Sequence, residues 1–168
     1  YIINVSLCAP HDKNEWMSRS IYQIITDRFE NPDYNKEKCD LRSDFCGGTF
    51  KGIISKLDYI KNMGFDAIWI SPPMGGDENA YHGYHNVDLY KTNGHFGTED
   101  ELKQLVSECH KKDIWVILDV VPNHMKTLPK EDYHKFVPFD KWEYFHHINC
   151  INYDDNNPYY VENCEIWG

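Results

Sequence analysis

Short, nearly continuous apolar runs alternate along the chain with segments whose apolar residues recur at helical spacing. Ser20-Ile21-Tyr22-Gln23-Ile24-Ile25-Thr26 is dense in β-branched and aromatic residues and predicts a first strand. Ile53, Ile54, Leu57, Ile60 and Met63 then follow helical periodicity, with Gly64 where a C-terminal cap belongs. Phe65 to Ile70 predicts a short buried strand, stopped by Ser71-Pro72-Pro73. The long loop that follows holds Tyr81, His82, Tyr84, His85 and Tyr90, and is too aromatic to read as disordered. Thr98 to Lys112 predicts the clearest helix. Thr98 and Glu101 form a capping box, Glu99 and Asp100 suit the N-terminal turn, and Lys111 and Lys112 suit the C-terminal one. Its apolar stripe is Leu102, Leu105, Val106 and Cys109. The run from Trp115 to Val121 predicts a third strand.

Strand, helix, strand, helix, strand, with continuous apolar strands, is the pattern of a parallel sheet. Residues 1–18 read as irregular and polar, with Trp16 offering an anchor. After Asn123 the periodicity stops. Residues 125–168 are rich in Tyr, Phe, Trp, His, Asn and Pro, as expected of a small irregular subdomain inserted after the third strand and pinned by Cys150 and Cys164. There is no internal repeat or low-complexity tract.

Composition narrows the functional classes. At 168 residues and 41% hydrophobic, the chain is long and apolar enough for one globular core. Aromatics reach 15%, led by Tyr and Trp, whose amphipathic rings suit both an ordinary core and a sugar-binding cleft. A net charge of −10 argues against nucleic acid, which needs a basic face, and against an anionic membrane surface. A neutral substrate such as a glycan is compatible with it. No apolar run is long enough to span a bilayer. The six cysteines include two locally spaced pairs, Cys39 with Cys46 and Cys150 with Cys164, whose loops disulfides close readily. That implies an oxidising compartment, whether extracellular, vacuolar or lysosomal; the alternative is six reduced thiols in a cytosolic protein. Cys8 and Cys109 have no obvious partner, and Cys109, on a helix stripe, reads as a buried free thiol. Asn4-Val5-Ser6 is a glycosylation sequon. A first residue of Tyr1 with no signal peptide leads us to expect a processed or partial N-terminus.

The chemistry gathers at Asp119-Val120-Val121-Pro122-Asn123-His124. An acid, an amide and an imidazole stand where a buried apolar strand turns polar, as happens at the active-site rim of an α/β barrel. The order Asp-Val-Val-x-Asn-His closely resembles a signature of the α-amylase family of glycoside hydrolases. Other segments resemble the same family. Ser20-Ile21-Tyr22 through Thr26-Asp27-Arg28-Phe29 is similar to its first barrel strand. Cys46-Gly47-Gly48-Thr49-Phe50-Lys51-Gly52-Ile53-Ile54 and Lys56-Leu57-Asp58-Tyr59-Ile60 resemble the start of its first helix. Met63 to Pro72 resembles its second strand, and Ala80-Tyr81-His82-Gly83-Tyr84 a substrate-cleft loop. The likeness covers most of the chain and runs nearest to fungal-type secreted α-amylases, which also carry the two short-range disulfides.

That resemblance implies an α/β fold, the N-terminal part of a TIM (β/α)8 barrel with an irregular subdomain inserted after the third strand. Residues 1–122 would form the first three β/α units, and 123–168 the start of a calcium-binding subdomain. The implied function is retaining endo-hydrolysis of α-1,4-glucosidic bonds in starch- or glycogen-type glucans. The implied partners are an α-glucan and the remainder of the amylase polypeptide. Tyr84 would stack on the glucose ring beside the cleaved bond, and His82 and His124 would donate hydrogen bonds to its hydroxyls. Asp119 would support the catalytic constellation from the cleft floor. Asn123 and Glu162 would be ligands of a structural Ca2+, with Asp154, Asp155 and Glu165 as alternatives to Glu162. Blander assignments stay open: Tyr84 as a packing aromatic, and His82 and His124 as polar loop residues. A transition-metal site at these histidines lacks any HxxxH or CxxC spacing. His85 stands where relatives often carry Trp, which would alter stacking. Retaining glycosidases need two carboxylates flanking the bond. In the family these come from later strands, so the chain is expected to be an N-terminal portion of a longer enzyme and inactive by itself. The alternative is a non-catalytic amylase-like protein that binds glycan or serves a larger assembly.

Overall fold

The computed structural model describes residues 12–33, 39–76 and 79–145. Cys8, Cys150, Glu162, Cys164 and the Asn4 sequon lie outside them. The elements run α1 (Lys13–Met17), β1 (Ile21–Ile24), α2 (Thr26–Phe29), α3 (Phe50–Ser55), α4 (Leu57–Asn62), β2 (Ala67–Ile70), β3 (Met74–Gly76), β4 (Asn86–Thr92), α5 (Glu99–Lys111) and β5 (Trp115–Leu118). Two 3-10 segments, Lys130–Lys135 and Trp142–Tyr144, follow.

Strands β1, β2 and β5 form one parallel sheet in that order. Its register aligns Ile21, Ala67 and Trp115 at one end and Ile24, Ile70 and Leu118 at the other. Strand alternation gives the two faces different environments. Tyr22, Ile24, Ile68, Ile70 and Val116 pack with Phe50, Ile53, Leu57, Ile60, Leu105 and Cys109 of the helices, making the main core. On the opposite face Gln23 and Ile21 are exposed, while Trp69 and Ile117 are half-buried. Trp115 belongs to that second face. Trp16 of α1 meets it edge-on at 4.8 Å, and the Arg19 guanidinium lies 3.9 Å above its ring.

Local chemistry sets the helix boundaries. Asp12 and Thr98 cap α1 and α5, each reciprocated by a glutamate three residues on, Glu15 and Glu101. α4 ends in a Schellman motif: Gly64 N–H bonds Lys61 C=O, Phe65 N–H bonds Ile60 C=O, and Gly64 takes a φ of 92°. Between α3 and α4 the Ser55 hydroxyl donates back to the Gly52 carbonyl at 2.7 Å and the helix breaks at Lys56.

The long loop after β2 is ordered around an antiparallel pair, β3 with β4. β4 in turn holds the segment after Asn123. Val137 N–H bonds the Val87 carbonyl at 2.9 Å, Leu89 N–H bonds the Val137 carbonyl at 2.9 Å, and Lys126 N–H bonds the Asn86 carbonyl at 2.9 Å. Val87 and Leu89 pack against Met125, Tyr133 and Phe136, forming a second, smaller core. Residues 125–145 are thus irregular in backbone but have an apolar centre.

Four sequence expectations need correction. Residues 13–17 are helical rather than irregular, because the Asp12 cap and the Trp16–Trp115 contact hold one short turn. A single helix over 53–63 is two, divided at Lys56. The strands are shorter than the apolar runs that announce them, and Thr26–Phe29 turns into a helix instead of continuing β1. The loop over 74–92 contains strands. Cys109, by contrast, is a buried free thiol as expected, its pKa pushed up to about 12 by burial and then by Glu108.

Leu105 is fully buried between α5 and the sheet. Leu105→Ala should therefore cost about 2–5 kcal/mol. Thermal or denaturant melts of the protein, with exposed Tyr90→Ala as the control, check this; equal melting points would contradict the packing described.

Candidate functional site

The in-register ends of β1, β2 and β5 deliver three chain segments to one rim of the sheet. The ladder extends one step past the strands: Ser71 N–H bonds the Ile24 carbonyl at 2.9 Å and Asp119 N–H bonds the Ile70 carbonyl at 3.1 Å. Immediately after β1, Thr26 N–H donates to Ser71 Oγ at 3.0 Å, and the Ser71 hydroxyl meets Thr26 Oγ1 at 3.2 Å, both buried. Polar residues here bond one another across the strand ends instead of adding to the apolar core.

The turn Ala80–Gly83 sits on the end of β2. Ala80 is buried, and Gly83 N–H bonds its carbonyl at 3.0 Å. Gly83 adopts a φ of 84° with its Cα against the Pro72 carbonyl, where a Cβ would collide with that oxygen. Only glycine fits both demands, and the seat aims the flanking residues toward β5.

Tyr84 and Asp119, far apart in sequence, meet there. The Tyr84 phenol donates to Asp119 Oδ2 at 2.7 Å. Two histidines bracket the same tyrosine. Tyr84 N–H donates to His82 Nδ1 at 3.0 Å, and the His124 ring donates from Nε2 to the Tyr84 carbonyl at 3.1 Å. The His82 and Tyr84 rings are stacked with centroids 5.7 Å apart, and His85 meets His82 edge-on at 4.9 Å. His82, Tyr84, Asp119 and His124 are thus brought together. Asn123 lies beside them in sequence, and its exposed side chain makes no hydrogen bond to another described residue. Glu162, Cys150 and Cys164 lie outside the described residues.

These bonds shift the titration of two of the groups. The bond to Asp119, reinforced by desolvation and by that carboxylate's charge, holds the Tyr84 phenol above its ordinary pKa. Desolvation, then the neighbouring His85 and Arg28, pull His82 below its ordinary value. Neutral His82, accepting at Nδ1, carries its proton on Nε2 and can donate from that edge. His124 spends its Nε2–H on the Tyr84 backbone, which leaves its Nδ1 edge uncommitted to that bond.

A second tier backs this cluster, and sequence reasoning gave it no role. The Asp27 side chain is fully buried. It accepts Cys46 N–H at 2.8 Å and Gly47 N–H at 3.1 Å, and pairs with Arg28. A disulfide joins Cys39 to Cys46. The available signal was an adjacent acid and arginine directly after a strand, at the same sheet edge as Asp119. Among the described residues no group of three or more His, Cys, Asp or Glu is arranged to hold a metal ion. No helix of the described residues is long and apolar enough to cross a membrane.

Three parallel strands with their main helices packed on one face, and a polar cluster at the carboxyl ends, are the arrangement of part of a (β/α)8 barrel. Comparison with known proteins gives the family. Residues 23–164 match the α-amylase catalytic-domain family. Alpha-amylase 2 of Schizosaccharomyces pombe is 45% identical over 168 aligned positions, covering 93% of this chain and 29% of that protein. The solved α-amylase of Malbranchea cinnamomea superposes with a TM-score of 0.77 at 45% identity, over 84% of this chain and 32% of that one. An α-amylase of Geobacillus thermoleovorans, solved in complex with acarbose, gives a TM-score of 0.73 at 40% identity, over 88% of this chain and 32% of that one. The chain belongs to the α-amylase family, and it spans about a third of the length of the relatives it matches.

Because the folded pKa of His82 is depressed, the unfolded chain binds more protons near and below the ordinary value of 6.5. Its contribution to stability is present above 6.5 and is lost as pH falls through the folded midpoint. NMR titration should place the His82 midpoint below 6.5, and a midpoint at or above that value would contradict the half-buried, Nδ1-accepting state.

Proposed function

We propose that the protein carrying this chain is a retaining endo-hydrolase of α-1,4-glucosidic bonds in starch- or glycogen-type glucans. In it, residues 1–122 form the first β/α units of the barrel and 123–168 the start of a calcium-binding subdomain. The observation that carries this is the Tyr84–Asp119 bond, with His82 and His124 holding the backbone of Tyr84 on either side. Such an arrangement suits a pyranose. The tyrosine face takes the apolar C–H side of the sugar while its phenol stays anchored, and the His82 Nε2–H edge donates to a hydroxyl. His124 donates to a sugar hydroxyl by releasing the Tyr84 carbonyl. Asp119 holds the tyrosine and lines the floor of the cleft. The carboxylate nucleophile and the general acid that retaining hydrolysis requires come from the remainder of the amylase polypeptide.

Calcium fits the donor chemistry of Asn123. Its amide oxygen is the kind of hard ligand the ion prefers, and the side chain is not committed to another described residue. The ion takes about six to eight oxygens, so the rest of its shell, Glu162 among it, lies beyond the described residues. When bound, calcium would tie the inserted segment to the barrel end and take no part in bond cleavage. The Cys39–Cys46 disulfide suits a secreted protein or one from another oxidising compartment.

Tyr84→Ala in the full-length protein should lower kcat/KM on maltooligosaccharides at least tenfold, equivalent to ~1.4 kcal/mol of transition-state binding. Unchanged kinetics would remove the stacking role. Chelating calcium should lower the melting temperature of the full-length protein, and by less in Asn123→Ala. A melting point insensitive to chelator would refute the calcium site.

A further inference from the structure

Arg28 stands behind the sugar-facing residues, in no contact that the proposed chemistry uses. Its side chain is only 17% exposed. Nη1 pairs with Asp27 and donates to the Asp44 carbonyl at 2.8 Å, while Nη2 donates to the Leu41 carbonyl at 2.9 Å. The guanidinium carbon Cζ lies over the ring of Tyr81, 3.7 Å from its centroid. Tyr81 meets His82 edge-on at 5.2 Å, and His82 stacks on Tyr84.

We infer that Arg28 is a positioning residue for the substrate subsite, fixing Tyr81, and through it His82 and Tyr84, to the loop closed by Cys39 and Cys46. This role presupposes the glucan-binding function proposed above. Its physical basis is the shape of the guanidinium. Three acceptors are met in its plane while its face stays free for an aromatic ring, a combination that lysine cannot reproduce. The acceptors are themselves held. Leu41 and Asp44 lie between the two disulfide-bonded cysteines, and the buried Asp27 carboxylate is pinned by the Cys46 and Gly47 N–H groups. Arg28 is therefore clamped on one side by a covalently closed loop and presents its other side to the turn that carries His82 and Tyr84. Without the guanidinium, Tyr81 loses its platform, and the imidazole and phenol beyond it sample orientations that no longer match the sugar.

The test uses the full-length protein and maltoheptaose, with KM and kcat measured separately well below the melting temperature. Arg28→Lys and Tyr81→Leu should each lower kcat/KM about tenfold, mostly through KM. Tyr81→Phe, which keeps the ring, should recover most of what Tyr81→Leu loses. The double variant Arg28→Lys/Tyr81→Leu should be within about twofold of the worse single, since both break the same link. Losses that multiply in the double variant, or single variants with wild-type KM, would overturn the inference while leaving the proposed function standing. Should Arg28→Lys fail to fold, the Tyr81 pair carries the same test. A wild-type protein that neither cleaves nor binds maltoheptaose would overturn both.

Discussion

Ile24, Ile70 and Leu118 stand level on three parallel strands, and every feature of the rim follows from that alignment. The ladder carries on for one further step, through Ser71 N–H to Ile24 and Asp119 N–H to Ile70, so the chain leaves all three strands at one height. Thr26 and Asp27 emerge beside Ser71, and Asp119 beside the turn that rests on Pro72. A shift of one residue would exchange the faces of the affected strand. It would turn Ile68 and Ile70 out of the helix-side core and move Asp119 off the level at which Tyr84 finds it. The apolar packing of Phe50, Ile53, Leu57, Ile60 and Leu105 against one face opposes such a slip. The energetics of the core and the geometry of the site are in this sense a single constraint.

On that base the rim is built by satisfying polar groups rather than by burying more apolar ones. A carboxylate as buried as Asp27 is costly unless it is paired and hydrogen-bonded. Two backbone N–H groups and a guanidinium offset the cost, and in doing so they fasten residues 46 and 47 to the end of β1. Tyr84 is treated similarly at the exposed side: its phenol, N–H and carbonyl are bonded to Asp119, His82 and His124 respectively. A ring whose polar atoms are all occupied offers its face with little orientational freedom left to lose on binding, which is the condition for an aromatic subsite to contribute affinity.

How much of this the sequence disclosed depended on how local each cause was. The Thr98–Glu101 capping box, the α5 stripe and the Gly64 terminus rest on neighbours a few residues away, and they stand where the pattern places them. The three parallel strands were legible as apolar runs, although their ends were not, since pairing rather than hydrophobicity decides where a strand stops. The β3–β4 pair escaped notice because Met74-Gly75-Gly76 has no strand pattern of its own and depends on distant partners in β4. α1 escaped because the residue that anchors it, Trp16, is explained by Trp115, far along the chain. In the site, Asp119, His124, His82 and Tyr84 could be singled out by their resemblance to a family. Their mutual bonds could not, being tertiary facts. Asp27 and Arg28 went without a role because most of their partners are backbone groups in residues 41–47, whose side chains give no hint of the contact.

We propose that Tyr84, flanked by His82 and His124, forms the floor of a sugar subsite at the carboxyl end of the sheet. A crystal structure of the full-length protein with a non-hydrolysable maltooligosaccharide is the decisive measurement. It should show a glucose ring lying flat on Tyr84, with His82 Nε2 donating to one of its hydroxyls and the Tyr84–Asp119 bond intact. A glucan bound elsewhere, or one that leaves the Tyr84 face open to solvent, would contradict it.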